Sequence, residues 1–306
     1  MTLDQALRGS MTLDGGLGTE LERQGCDTSG ILWSAQVLRN HPEQVHQAHR
    51  SFLEAGADCI ITASYQASFA GFKNAGLSED DTERTLRQSV EIAKDARSEF
   101  QATHHRRVLV AASVGPFGAA LADGSEFHGN YGVGFADLVE FHARRMEILA
   151  DAGSDLLACE TIPSLLEAEA ILHCLERLPN AQAWFTFACR DGQHVGHGEE
   201  FRDCVRLLDQ APQVVAIGVN CTPPQHVTSL IREACGVTAK TIVVYPNAGR
   251  RWDASSRQWV GSESRSAAIE DLAREWRSEG ARWIGGCCGT TPEDIARIRQ
   301  AQNQAA

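Results

Sequence analysis

Short apolar runs alternate with longer amphipathic stretches along this chain, and the alternation repeats eight times. The runs Ser10–Leu13, Asp58–Ala63, Val108–Val114, Asp155–Cys159, Ala183–Ala188, Val214–Val219, Thr241–Tyr245 and Arg282–Gly285 are brief and rich in apolar or β-branched residues, as expected of strands buried on both faces. Helical spacing of apolar positions marks the stretches between them: Pro42–Ala55, Asp80–Gln101, Phe135–Ala152, Ser164–Arg177, Arg202–Gln210, Pro224–Cys235, Arg265–Glu279 and Pro292–Gln300. Pro42 and Pro292 stand where a first-turn proline is favoured. Gly56, Gly153 and Gly280 follow helical runs as C-terminal caps do, in the junctions "EAGAD", "DAGSD" and "SEGAR".

Strictly alternating strands and helices predict parallel βαβ units and the α/β class. A count of eight predicts a single (β/α)8 TIM barrel, one domain over residues 1–306, rather than an open doubly wound sheet. The glycines of "GGLGTE" (Gly15–Glu20) fall short of a dinucleotide fingerprint, and no helix is predicted directly behind them. Long connections follow the third strand (Gly115–Gly134) and the seventh (Pro246–Ser264). In a barrel both lie at the C-terminal face, where active sites are built.

Composition narrows the partners. The chain has 306 residues and a formal charge of −12, which argues against nucleic acid or an anionic membrane as a partner. No stretch reaches the roughly 18 apolar residues of a membrane span. The start, "MTLDQALRGSMTLDGG", lacks an apolar signal core, so a cytoplasmic location is expected. Ten cysteines in a chain of this length are not a disulfide framework. Seven are scattered (Cys26, Cys59, Cys159, Cys174, Cys189, Cys204, Cys235), and most of them read as reduced, buried thiols.

Polar residues end the predicted strands: Asp14-Gly15-Gly16, Thr62 to Gln66, Ser113, Glu160-Thr161, Asn220-Cys221-Thr222, Tyr245-Pro246-Asn247 and Cys287-Cys288. On a barrel these share one rim, the pattern of a ligand site. Cys221 from the sixth strand and Cys287 and Cys288 from the eighth would surround one mouth. Three soft sulfur ligands favour Zn2+ and leave a fourth position open, as in a catalytic site. Gly285, Gly286 and Gly289 would let the backbone aim both neighbouring thiols at one ion. A strained vicinal disulfide, a metal-free redox pair, or two unrelated buried thiols are the other readings, since no local Cys-x-x-Cys supports the site. A zinc hydrolase would want histidine and carboxylate ligands, and no histidine ends these strands. Asp14 and Glu160 at the mouth would suit an amino group; a turn residue and a helix-capping acid are the plainer roles. His104 and His105 fall in a loop at the opposite end. His41, His46 and His49 ride one helix and read as surface residues.

The segments "DGGLGTEL" (Asp14–Leu21), "TASYQAS" (Thr62–Ser68), "SVGPFGAALADGSEFHGNY" (Ser113–Tyr131), "CETIP" (Cys159–Pro163), "GVNCTPP" (Gly218–Pro224), "VVYPNAG" (Val243–Gly249) and "GGCCGTTPEDI" (Gly285–Ile295) together resemble the homocysteine S-methyltransferase family, in order and over nearly the whole chain. The resemblance implies a (β/α)8 barrel with a catalytic zinc on Cys221, Cys287 and Cys288. It implies homocysteine contacts at Asp14, Gly15, Thr62 and Glu160; Asn220, beside Cys221, joins the substrate-binding candidates. The loops after the third and seventh strands look like those of members using S-methylmethionine, some of which use S-adenosylmethionine or act on selenohomocysteine. Betaine-using members carry a C-terminal dimerisation extension that this chain lacks, so a monomer or weak oligomer is expected. One departure stands out. Those members read "YPNSGE" before an aromatic, whereas this chain reads "YPNAGRRWD", with Arg250 replacing the acid and Trp252 left to face a cation. The implied reaction is zinc-dependent methyl transfer from a sulfonium to homocysteine, giving methionine. A betaine or another donor, a homocysteine-binding relic and the redox protein are the alternatives.

Overall fold

All eight predicted strands form, and they pair in parallel into one sheet. The structure is a computed structural model that describes residues 3–28, 33–249, 251–253, 258–260 and 268–304. In chain order the strands are β1 (Met11–Thr12), β2 (Cys59–Ile61), β3 (Leu109–Val114), β4 (Leu156–Ile162), β5 (Ala183–Phe187), β6 (Val214–Asn220), β7 (Thr241–Tyr245), β8 (Arg251–Asp253), β9 (Gln258–Val260) and β10 (Ala281–Ile284). The sheet runs β1-β10-β7-β6-β5-β4-β3-β2. A parallel bridge between Leu13 and Cys59 joins its two ends. There the Asp58 amide donates to the Thr12 carbonyl at 2.7 Å, and the Asp14 amide to that of Cys59 at 3.1 Å. The result is the expected (β/α)8 TIM barrel, with β8 and β9 as an added antiparallel hairpin in the connection after β7.

Period-two alternation explains how the barrel is filled and how its mouth becomes polar. One parity points inward: Leu109 and Ala111 on β3, Leu156 and Ala158 on β4, Trp184 on β5, Ala216 on β6, Val243 on β7 and Trp283 on β10 share one buried cluster. The other parity, including Val110, Leu157, Phe185, Ile217, Val244 and Ile284, packs against the helices. Continuing the inward parity toward the strand ends reaches Ser113, Glu160, Thr186, Asn220 and Tyr245 in turn. Trp184 and Trp283 meet edge-to-face at 5.9 Å and form an apolar floor beneath these polar ends.

The principal helices are Pro42–Ala55, Glu79–Thr103, Phe135–Asp151, Leu165–Glu176, Phe201–Asp209, Pro224–Cys235, Ile269–Glu279 and Pro292–Gln304. They follow the predicted ones; the expected start at Arg265 lies outside the described residues. Gly56, Gly153 and Gly280 take positive φ, as their capping role requires. Short helices at Leu17–Arg23, Trp33–Asn40, Phe69–Asn74 and Phe117–Leu121 went unpredicted. The first begins directly after Gly16, in the stretch where no helix was expected. His49 corrects a second expectation. Val45, Ala48, His49, Phe52 and Leu53 form the buried face of their helix, so the ring sits in the core with neither nitrogen bonded. His46 is half-buried, 3.4 Å from Glu99, while His41, His104 and His105 are exposed as expected. No helix among the described residues is long and apolar enough to cross a membrane.

Candidate metal and substrate site

The three candidate cysteines meet. The sulfurs of Cys221, Cys287 and Cys288 all lie within 4.8 Å of one another, and no other ligand-type side chain among the described residues joins them. Cys221 and Cys288 are 3.6 Å apart, and Cys287 and Cys288 3.9 Å, with all three free thiols. Cys221 is buried; Cys287 and Cys288 are half-buried.

Neighbouring connections pin this geometry. The Cys287 amide donates to the Pro246 carbonyl (2.8 Å), and the Ala248 amide to that of Cys288 (2.9 Å). Thr290 Oγ1 donates to the Cys287 carbonyl at 2.6 Å, and Thr19, from the unpredicted helix Leu17–Arg23, accepts from the Gly289 amide at 2.8 Å. Gly289 alone of the three expected turn glycines has positive φ, 79°. Gly285 and Gly286 serve by close approach instead: a Cβ on the first would press on Leu13 and one on the second on Thr290.

The sulfurs share protons unequally. Hydrogen bonds from Cys221 and then Cys288 hold Cys287 well below the usual thiol range, with Asn220 assisting. Cys221 and Cys288, bonded to that thiolate and buried, are pushed up. A soft divalent cation among the three sulfurs would let all of them ionise. The donor set, its spacing and its burial fit such an ion.

Two buried acids stand beside the cysteines. Asp14 accepts from the Ile61 amide at 2.7 Å through Oδ2, while its buried Oδ1 has no partner. Burial pushes its carboxyl well above the usual range, and Glu160 adds to this. Glu160 Oε1 accepts from Ser113 Oγ. Burial first, then Cys287, pushes Glu160 up to about 8. Each acid therefore lacks a compensating cation. Gly15 adjoins Asp14, so close to Phe52 and Thr290 that a Cβ would crowd both.

Thr62 and Asn220 are more occupied. Ser64 Oγ donates to the Ser113 carbonyl, so the 2.7 Å contact between Thr62 and Ser64 uses the Thr62 proton. Thr62 Oγ1 also accepts from the Ser113 amide, which leaves it one free lone pair. Asn220 Oδ1 accepts from the Thr161 amide at 2.6 Å. Its Nδ2 donates to Thr161 Oγ1 at 2.8 Å and lies 4.0 Å from the Cys287 sulfur. Thr161 (φ 61°) and Cys221 (φ 46°) are left-handed non-glycine residues, each directly after an inward polar residue. Such strain costs about 1–3 kcal/mol per residue and concentrates at functional sites. Tyr245 was expected from sequence at the end of the seventh strand, without a role of its own. It accepts from Trp184 Nε1 at 2.9 Å, contacts Thr186 at 2.8 Å, and its hydroxyl pulls Glu160 down. Its place at the inward end of a strand was the available signal. Arg250 lies outside the described residues; Trp252 has a described backbone, paired with Trp259 across the hairpin.

The family model described as homocysteine S-methyltransferase matches residues 11–302. The chain belongs to the homocysteine S-methyltransferase family. A Bacillus subtilis relative, homocysteine S-methyltransferase YbgG, is 48% identical over 296 residues, covering 94% of this chain and 93% of the relative. The crystal structure of the Escherichia coli homocysteine methyltransferase MmuM in its metallated form superposes with a TM-score of 0.88 at 42% identity, covering 98% of this chain and 99% of that one. The oxidized form of the same protein gives 0.89 at 43% identity, with the same coverage. Membership makes this chain an enzyme of methyl transfer with small-molecule substrates.

Proposed function

We propose that this enzyme transfers a methyl group from a sulfonium donor, S-methylmethionine or S-adenosylmethionine, to the thiol of L-homocysteine, with Zn2+ held by Cys221, Cys287 and Cys288. The observation that carries this reading is the convergence of three sulfurs with two uncompensated buried acids at one barrel mouth. Zn2+ in that group would lower the proton affinity of a thiol entering its open position. Asp14 and Glu160 take the ammonium of homocysteine, and Thr62 offers it the remaining lone pair. Gly15 keeps the backbone beside Asp14 free of a side chain. Asn220 is better assigned to positioning than to substrate contact, because its amide is committed to Thr161 and directed at Cys287. Tyr245 orients Glu160.

In the transfer, a homocysteine sulfur lone pair forms the new S–CH3 bond as the donor's S–CH3 bond breaks. That bond's electron pair stays on the donor sulfur, which leaves as a neutral thioether, and the thiol proton passes to solvent. Opposite charges disappear in this step, so a site that excludes water favours it. No general acid is needed for departure.

The ten free thiols support a reducing, cytoplasmic setting, and the continuous barrel supports one domain. The test is methionine formation from homocysteine with S-methylmethionine, S-adenosylmethionine, a betaine and a methylfolate supplied in turn, before and after chelation. Activity with a sulfonium that chelation abolishes supports the reading. Activity that survives full metal removal, or that requires betaine, overturns it.

A further inference from the structure

The connection between β3 and helix Phe135–Asp151 holds a further buried acid that homocysteine recognition does not use. Glu126 sits in the single turn Ser125–Phe127 and is 8% exposed. Its Oε2 is buried without a hydrogen-bond partner, and no ion pair reaches it among the described residues. Gln66 Oε1 is also buried and unbonded. Gln66 is tied to the same connection, its Nε2 donating to the Ala119 carbonyl at 3.5 Å. Two buried acceptors without partners on one connection call for a polar ligand.

The turn is rigidly held. Gly118 lies so close under Glu126 that a Cβ would overlap its amide, and Gly196 is similarly close to the Phe127 carbonyl. The turn packs on β4, the strand that carries Glu160 and Thr161. Tyr65, whose ring lies against the Gly115 backbone, feels both Glu126 and Cys221. Burial, then the Glu126 carboxylate, then Cys221 push its phenol up, while a hydrogen bond with Thr161 pulls it down. Glu126 and Cys221 thus share Tyr65 as an electrostatic neighbour. Glu126 cannot touch the migrating methyl group, but it can hold the far end of a molecule that presents its sulfonium at the cysteines.

We propose that Glu126 is a specificity-determining residue for the methyl donor, its carboxylate receiving the α-ammonium group of a methionine-derived sulfonium. This rests on the sulfonium-donor reading above. Gln66 completes the polar wall around that ammonium. A donor whose second charge is a carboxylate alone, such as a betaine, meets a like charge and is repelled.

The test compares Glu126→Gln and the shorter Glu126→Asp with the unsubstituted enzyme, all zinc-loaded. Three donors serve as probes: S-methylmethionine, (3-aminopropyl)dimethylsulfonium, which lacks only the carboxylate, and dimethyl(propyl)sulfonium, which lacks both amino acid groups. Loss of one charge-assisted hydrogen bond predicts a donor KM about 10- to 100-fold higher in Glu126→Gln for the two amine-bearing donors. It predicts a smaller rise in Glu126→Asp. The KM for homocysteine and the zinc content should hold, which also certifies the fold. With dimethyl(propyl)sulfonium the substitution should have no effect. An unchanged KM for S-methylmethionine overturns the assignment, as does an equal loss with all three donors. Calorimetric binding of S-methylmethionine separates this proposal from the one it rests on. If the unsubstituted protein binds the compound through Glu126 without turning it over, the donor reading falls and the site assignment stands. If it turns the compound over with no dependence on Glu126, the assignment falls alone. If it neither binds nor uses it, both fall.

Discussion

Replacing Glu160 with glutamine should move stability and affinity in opposite directions. The side chain keeps its shape, and its Oε1 can still accept from Ser113 Oγ. What changes is the charge. The folded protein pushes this carboxyl from 4.5 up to about 8, mainly by burial. Between those values the folded state retains a proton that the unfolded state has released, so stability falls as pH rises through the window. The slope is about 1.4 kcal/mol per pH unit, and across roughly 3.5 units the loss reaches at most about 5 kcal/mol. Glutamine escapes that loss but buries an amide with an incomplete set of partners, at a cost of about 1–3 kcal/mol. At pH 8.5 the ligand-free variant should therefore be more stable than the unsubstituted protein by about 1–3 kcal/mol, and at pH 5.5 it should gain nothing. Homocysteine binding should weaken by about 10- to 150-fold, the worth of one charged hydrogen bond to the ammonium. Denaturant unfolding at the two pH values, with homocysteine titrations at pH 8.5, measures both. A variant less stable at both pH values, with unchanged homocysteine affinity, would make Glu160 a structural carboxyl and refute the argument.

Asn220→Ala frees the Thr161 turn and the Cys287 sulfur from one amide. Zinc affinity should drop about 10- to 100-fold, as for other groups that orient metal ligands. Competition with a chromogenic chelator reads this, and equal affinities would remove Asn220 from the positioning role. His49, buried and unbonded, is held down to about 3 from 6.5. The unfolded state takes up its proton first, so stability is lost as pH falls below about 6.5, by up to about 1.4 kcal/mol per unit until pH 3. His49→Leu should flatten this acid limb in unfolding measurements from pH 7 to 4; parallel curves for the two proteins would show that the limb has another origin.

The barrel was legible because each of its strands is short, apolar and flanked by a helix with clear period and caps. The cysteine group was legible because barrel topology brings the ends of β6 and β10 to one rim, whatever the separation in sequence. Burial of acids was not. Glu126 lies in a loop rich in polar and glycine residues, and packing against β4 and the helix Phe117–Leu121 removes it from water. The helix Leu17–Arg23 escaped notice because seven residues hold too few apolar positions to set a period, yet it supplies Thr19 to the Gly289 amide. His49 could have been found. It falls at the i+4 position from Val45 and three before Phe52, on the apolar stripe of its helix, and was passed over because histidine is more often wet. The strained φ values at Thr161 and Cys221 leave no mark in residue identity.

Zinc-edge X-ray absorption on the purified enzyme, with and without homocysteine, tests the central claim most directly. The account predicts about one zinc per chain, with three sulfur neighbours and one lighter neighbour, changing to four sulfurs when homocysteine is added. A protein purified without metal that methylates homocysteine at full rate, or a zinc whose sulfur count does not rise with homocysteine, would contradict it.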